Sequence, residues 1–340
     1  MCQGSLVNMN KKFLIVVLRF HGDVLLTKPM IDNIKLNFPE SEVDLLVYEG
    51  TGSILENDKF LSEIIEIETS SKKNIFSRID NEINLWKKLR AKKYEFAFFL
   101  TTQWRVVPMS WAISSAMKAA VDDKKRKKNL WIKSFSTIFP EALDNHIVER
   151  NLTALESLGL KIFNDNLTLE PSNLDLELKV LEETYPFLTE TDSYCLIHPT
   201  SRREKKLWDK DKFAVLINFL LEKNFSVVIT SGPDSYETDY VDAILKKAGI
   251  IDGKVLNLAG KTSLLGLAAL IRRSDFFIGL DSVASHIAAA VDKESITLFG
   301  PSNPVNWKPW SDKAQIITRN EMSSIEVEDV MSLVDEMPVK

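Results

Sequence analysis

The chain has little of what several large function classes require. Among its 340 residues there are two cysteines, Cys2 and Cys195. They are too few and too far apart for a disulfide framework or a thiolate metal motif, and they suit a reducing compartment. The four histidines, His21, His146, His198 and His286, fall at no paired ligand spacing, so no catalytic metal is expected. No apolar run approaches the ~18 residues that a membrane-spanning helix needs. Residues 1–12 are polar and lack the apolar centre of a secretion signal, so the chain is expected in the cytoplasm, with residues 1–11 as a loose leader. The net charge is −5, which offers no global positive field and argues against a nucleic-acid partner. The GxGxxG fingerprint is absent, and with it the main support for an NAD cofactor.

What is present is the profile of a soluble globular protein, 45% hydrophobic and 27% charged, long enough for two domains. Residues 13–18, FLIVVL, form a continuous β-branched apolar run, as a buried parallel strand does. Further strands are expected at 43–47 and 96–100. Helices are expected at 24–37, 85–90, 111–120 and 146–158. Residues 161–192 are polar, contain prolines and lack clear periodicity, which marks a domain boundary. Beyond them strands (194–197, 226–230, 255–258, 276–278, 295–299) alternate with helices (212–223, 236–248, 263–272, 284–291, 325–334). The fold class is therefore α/β with parallel sheets, divided into domains at 12–180 and 181–320, with 321–340 as a terminal segment.

In open parallel sheets ligands gather at the carboxyl ends of strands. Several polar loops fall there. In the first half, His21-Gly22-Asp23 follows the first strand, and Gln103 and Arg105 follow the strand at 96–100. One carboxylate in such a place reads either as a general base or as a helix N-cap. In the second half the loops are Thr200-Ser201 through Lys206, Ser231-Gly232-Pro233, Gly260-Lys261, and Asp281-Ser282-Val283-Ala284 leading to His286. A helix start with hydroxyls and lysines beside it suits a diphosphate, while Asp281 and Ser282 also read as an N-cap pair. Asp209-Lys210-Asp211 has the form of a metal-binding DxD but precedes a helix, where acids cap and favour the dipole. The run Lys124, Lys125, Arg126, Lys127, Lys128 reads as a solvated loop, or as a contact for a phosphorylated acceptor or an anionic membrane surface.

The motifs together resemble a family. Leu18-Arg19-Phe20-His21-Gly22-Asp23 with Leu26-Thr27-Lys28-Pro29 is similar to the "GD…L.T.P" segment of the bacterial lipopolysaccharide heptosyltransferases, glycosyltransferase family 9. Asp281-Ser282, His286-Ile287-Ala288-Ala289-Ala290 and Leu298-Phe299-Gly300 are similar to its "D(S/T)…H.AAA…LFG" segment. Pro199-Thr200-Ser201-Arg202 with Lys206 and Trp208, the segment His146 to Leu152, and Leu258 to Thr262 fit in order between them. The likeness is greatest to the members that add a branch heptose to the inner core.

The resemblance implies a GT-B fold, two Rossmann-like domains with parallel sheets facing across a cleft, and a last helix crossing back to the first domain. It implies inverting, metal-independent transfer from ADP-heptose to inner-core lipopolysaccharide at the cytoplasmic face of the inner membrane, without a cofactor. Asp23 would then be the general base and Lys206 the cation that offsets the leaving diphosphate. Thr200, Ser201, Gly232, Gly260, Lys261, Asp281, Ser282, Val283, Ala284 and His286 would bind the donor. His21, Gly22, Gln103, Arg105, Lys124, Arg126 and Lys127 would meet the acceptor. Two departures bear on the site: Val283-Ala284 stands where the family often has Gly or Ala and then Pro, and Lys205 competes with Lys206 for the phosphate role. A sugar-nucleotide epimerase, a transferase with another acceptor and a non-catalytic binder of two α/β lobes are the alternatives.

Overall fold

The computed structural model describes residues 10–68, 75–113, 117–122, 129–141, 144–249 and 253–337. The chain divides into two compact units, Met1–Asn166 and Leu167–Lys340. The division falls before the expected boundary at 180/181. The helix Pro171–Thr184 explains the difference: it packs on the helix Leu264–Arg273 of the second unit, with Arg272 paired to Asp175 and Ser263 donating to Glu177.

The first unit is built on β1 (Lys12–Val17), β2 (Glu42–Tyr48), β3 (Glu63–Ile67), β4 (Phe96–Phe99), β5 (Met117–Val121) and β6 (Thr137–Phe139), in the order β3-β2-β1-β4-β5-β6. Every pairing is parallel. The apolar run at 13–18 is the central strand, and its side chains have no exposed surface from Phe13 to Val16. Phe13 stacks on Phe96 of the neighbouring strand at 4.9 Å.

The second unit repeats the plan with β7 (Tyr194–His198), β8 (Ser226–Ser231), β9 (Val255–Ala259), β10 (Phe277–Leu280), β11 (Ser295–Phe299) and β12 (Ala314–Thr318), ordered β12-β11-β10-β7-β8-β9. These pairings are parallel too. In both sheets the order reverses beside the first strand, between β1 and β4 and between β7 and β10. That reversal opens a crevice at the carboxyl ends of those strands, the ligand position of doubly wound sheets.

Three sequence expectations are corrected. The helix expected at 24–37 is two helices, His21–Leu25 and Lys28–Asn37, because Pro29 sits in the first turn of the second and has no amide to carry a longer helix through. The helix expected at 111–120 is displaced: the helical segment is Val106–Ala112, and Met117–Val121 is strand β5, buried at Ala119, Ala120 and Val121. The polar stretch 161–192 holds the helix Pro171–Thr184. The terminal helix, Val327–Asp335, joins the core of the second unit. It packs on the helix Lys210–Glu222 and on β12, and Trp208 Nε1 donates to Ile325 O at 3.0 Å. No helix among the described residues is long and apolar enough to cross a membrane.

Candidate functional site

In the first unit the chain leaves β1 at the sheet reversal and turns through Leu18-Arg19-Phe20 into the helix His21–Leu25. Phe20 is the cap residue, so Asp23 is not the N-cap. Asp23 sits three positions into the helix, and its carboxylate accepts from the Phe20 amide, the return half of a capping box. Its side chain is 12% exposed, with Oδ1 3.1 Å from Arg19 Nε. Burial raises the Asp23 pKa above the usual carboxylate value, and the Arg19 and Arg150 guanidiniums pull against it without cancelling it. The result is a half-sequestered carboxylate at the mouth of the sheet with a stronger affinity for a proton than a free aspartate.

The other acceptor-side candidates differ in what they touch. His21 and Gly22 form the first turn of the same helix and are half-buried. Gln103 is a strut across the sheet reversal: Nε2 donates to Leu18 O at 2.7 Å, and Oε1 accepts from Tyr48 Oη at 2.5 Å. The amide thus ties the loop that carries Asp23, at Leu18, to the end of β2, at Tyr48. The Arg105 guanidinium pairs with Glu82 and donates to Glu68 O. Lys124, Arg126 and Lys127, with the rest of that basic run, lie outside the described residues.

Sequence reasoning missed that the charge of Arg150 acts on Asp23. The helix Ile147–Glu156 begins with a capping box, in which the His146 amide donates to Glu149 and Val148 N donates to His146 Nδ1. That box fixes the start of the helix, and Asn151 Nδ2 donates to Leu26 O, which ties it to the end of the Asp23 helix. The signal was present in the spacing of His146, Glu149 and Arg150, but it does not reveal which element receives them.

In the second unit two clusters form. The first spans the reversal between β7 and β10. Lys206 closes the short turn Glu204–Lys206, and its Nζ donates to Asp281 Oδ2 at 2.5 Å and approaches Asp281 O at 3.4 Å. Lys205 is exposed. Ser282 is the cap residue of the helix Val283–Ala290, yet its hydroxyl makes no cap hydrogen bond and its Oγ is buried without a partner. Ser285 Oγ donates to Ser282 O instead. Val283 is half-buried at the helix start, while Ala284 and His286 are buried. The unaligned Ser282 hydroxyl beside open helix amides is chemistry suited to an oxyanion.

The second cluster lies where β7, β8 and β9 end. His198, the last residue of β7, is buried; Nδ1 is 3.0 Å from Thr230 Oγ1 and Nε2 is 3.5 Å from Thr200 Oγ1. Burial pushes its pKa down to about 4, so the ring is neutral at physiological pH. Thr200 has no exposed surface, and Ser201 little. Glu237, which sequence reasoning also missed, is buried here. Its carboxylate accepts from the Gly232 amide and the Thr200 hydroxyl, and burial raises its pKa. Gly232 and Gly260 adjoin: Gly260 N donates to Ser231 O, and Gly260 takes φ = 69°, a turn that suits glycine. Lys261 folds back on Asn257 O. Asp209 caps the helix Lys210–Glu222 by accepting from Asp211 N and Lys212 N. Among the described residues no group of three or more His, Cys, Asp or Glu side chains has metal-holding geometry.

Two six-stranded parallel sheets, each with a crevice where its strand order reverses, are the parts of a GT-B fold. The chain belongs to glycosyltransferase family 9, the heptosyltransferases, whose pattern it matches over residues 83–334. It is 34% identical over 336 residues to the Escherichia coli (strain K12) protein named lipopolysaccharide heptosyltransferase 3, covering 94% of this chain and 96% of that protein. Its fold matches a family 9 glycosyl transferase from Veillonella parvula with a TM-score of 0.82 at 20% identity, covering 97% and 98% of the two chains. E. coli heptosyltransferase WaaC, solved with ADP, matches with a TM-score of 0.77 at 20% identity, covering 96% and 100%.

Proposed function

We propose that this glycosyltransferase moves heptose from an ADP-linked donor to the inner core of lipopolysaccharide, as the branch unit on the second heptose, with inversion and without a metal. The observation that carries the reading is the 34% identity along 94% of the chain to lipopolysaccharide heptosyltransferase 3. The ADP in the WaaC structure supports the choice of nucleotide.

In this reading Asp23 takes the proton of the acceptor hydroxyl as its oxygen attacks the anomeric carbon, opposite the leaving group. The bond from that carbon to the diphosphate breaks through an oxocarbenium-like state, and ADP departs. Lys206 and the amides that start the helix Val283–Ala290 meet the charge growing on the diphosphate. Asp281 contacts the sugar, and Gly232, Gly260 and Glu237 border the nucleoside. Thr200 acts from beneath, shaping the turn that carries Ser201. The chain works at the inner face of the cytoplasmic membrane, where the run from Lys124 to Lys128 meets anionic groups of the acceptor or lipid.

The test is ADP release from the purified protein given ADP-heptose, with and without heptose-containing core acceptor, in EDTA. Acceptor-dependent release that survives chelation is expected. ADP-heptose binding without release, with any inner-core acceptor, would remove the reading in favour of another acceptor or of epimerisation.

A further inference from the structure

Large apolar side chains stand singly on most protein surfaces, so exposure alone means little. Position gives it meaning. In the first unit two aromatic side chains stay open to solvent at the sheet reversal. Phe20, on the loop that leaves β1, is 52% exposed, and Trp104, on the loop that leaves β4, is 38% exposed. The other exposed aromatics among the described residues stand on neither loop. Trp111 donates Nε1 to Ser134 Oγ at 3.1 Å, Phe163 N donates to Asn33 of the helix Lys28–Asn37, and Tyr236 belongs to the second unit.

The two loops are tied together. Gln103, next to Trp104, donates Nε2 to Leu18 O at 2.7 Å, two residues before Phe20. Phe20 is joined to the Asp23 helix by its backbone, with Phe20 O accepting from Val24 N at 3.1 Å. Its neighbour Arg19 places Nε 3.1 Å from Asp23 Oδ1. Trp104 is held from behind. Its ring meets Trp131 edge to face at 5.9 Å, Trp131 leans on Phe135 at 5.1 Å, and Phe135 on Phe99 of β4 at 5.0 Å. Trp131 is buried. This stack of rings fixes Trp104 to the sheet, so little side-chain freedom is left to lose when a ligand covers it.

We propose that Phe20 and Trp104 form an aromatic platform beside Asp23 for a pyranose ring of the acceptor. A pyranose carries hydroxyls around its rim and C–H groups on its faces. A C–H face laid on an aromatic ring buries apolar surface and meets the negative face of the π system. The rim hydroxyls then stay accessible to a base. Phe20 and Trp104 thus act as specificity-determining residues, favouring a ring with a continuous C–H face over an open-chain or uniformly polar acceptor.

The proposal deepens the proposed function by naming an acceptor subsite and rests on it, so the test keeps the two apart. The full chain is studied by saturation-transfer NMR with irradiation of aromatic protons. The probes are deacylated, heptose-containing core oligosaccharide and methyl α-mannopyranoside. The unaltered protein should pass saturation to ring C–H protons of both. Phe20→Leu and Trp104→Leu should each reduce that transfer and raise the KM for the oligosaccharide about 5- to 30-fold, with kcat and ADP affinity unchanged. Phe20→Tyr should behave as the unaltered chain does. Unchanged KM and transfer in both leucine variants overturn the platform and leave the proposed function standing. Transfer that the variants lose, with no turnover of the oligosaccharide by the unaltered protein, keeps the platform and removes the inner-core acceptor. No transfer to either probe overturns the platform. Should Trp104→Leu fail to fold because Trp131 loses its cover, Phe20→Leu decides alone, since the Phe20 contact to the helix is made by its backbone.

Discussion

Lys206 and Asp281, 75 positions apart, meet at 2.5 Å across the reversal of the second sheet. Their side chains are only 15% and 7% exposed. The Lys206 ammonium is thus already held by a carboxylate, and on the proposed reading ADP would exchange one anionic partner for another. Asp281→Asn should therefore tighten ADP alone by roughly 3- to 10-fold, about 1 kcal/mol, while lowering turnover through loss of the sugar contact. The unliganded variant should be less stable, because an uncompensated buried charge costs about 3–5 kcal/mol. Lys206→Gln should weaken ADP and reduce kcat about 100- to 1000-fold. Calorimetry with ADP checks the exchange; weaker ADP binding by Asp281→Asn would show that the carboxylate orders Lys206 for the nucleotide instead of competing with it.

Asp23 lies in the unit Met1–Asn166, whereas every donor-side candidate lies in Leu167–Lys340. Asp23→Asn should accordingly reduce turnover by about 100- to 10,000-fold and leave the ADP dissociation constant within about twofold. A parallel loss of ADP affinity would mean that the carboxylate serves mainly to hold its helix, through the Phe20 amide.

His198 should make the second unit sensitive to acid. Its folded pKa lies near 4, below the ordinary 6.5, because the ring is buried between Thr230 and Thr200. Between those values the unfolded chain takes up a proton that the folded chain refuses. Its contribution is therefore fully present above pH 6.5 and is lost as pH falls toward 4, a decline of roughly 3 kcal/mol over the window. His198→Gln should flatten that slope in urea melts recorded from pH 7 to 4. An unchanged slope would assign the acid sensitivity to other groups.

How much of this was legible in the sequence depended on whether a feature was local. β1 and β11 were plain from FLIVVL and SITLF, since a buried parallel strand reads as a short run rich in apolar and β-branched residues. β5 was not: Met117-Lys118-Ala119-Ala120-Val121 has the composition of a helix, and only its pairing between β4 and β6 makes it a strand. The loops of the site were found because they follow strands and hold charges. Their internal logic was hidden. That Lys206 rather than Lys205 reaches Asp281, that Gln103 braces Leu18, and that Asn151 ties its helix to the Asp23 helix at Leu26 are consequences of how distant elements come together in the fold. Glu237 was overlooked because one acid in the first turn of a helix is the commonest of dipole-complementing residues.

Glu237 also supplies the sharpest packing test. A Cβ built on Gly232 would lie 1.9 Å from Glu237 Oε2, so Gly232→Ala must displace the carboxylate. The displaced group loses the Gly232 amide and the Thr200 hydroxyl, and a buried acceptor left without partners costs about 1–3 kcal/mol. Gly232→Ala should lower the melting temperature and weaken ADP binding together. Glu237→Ala opens the space the new methyl needs, so in the double variant the clash no longer exists and the two losses should fall short of additive. Strict additivity in that cycle would mean that the glycine is required for its backbone and not for the room it leaves to Glu237.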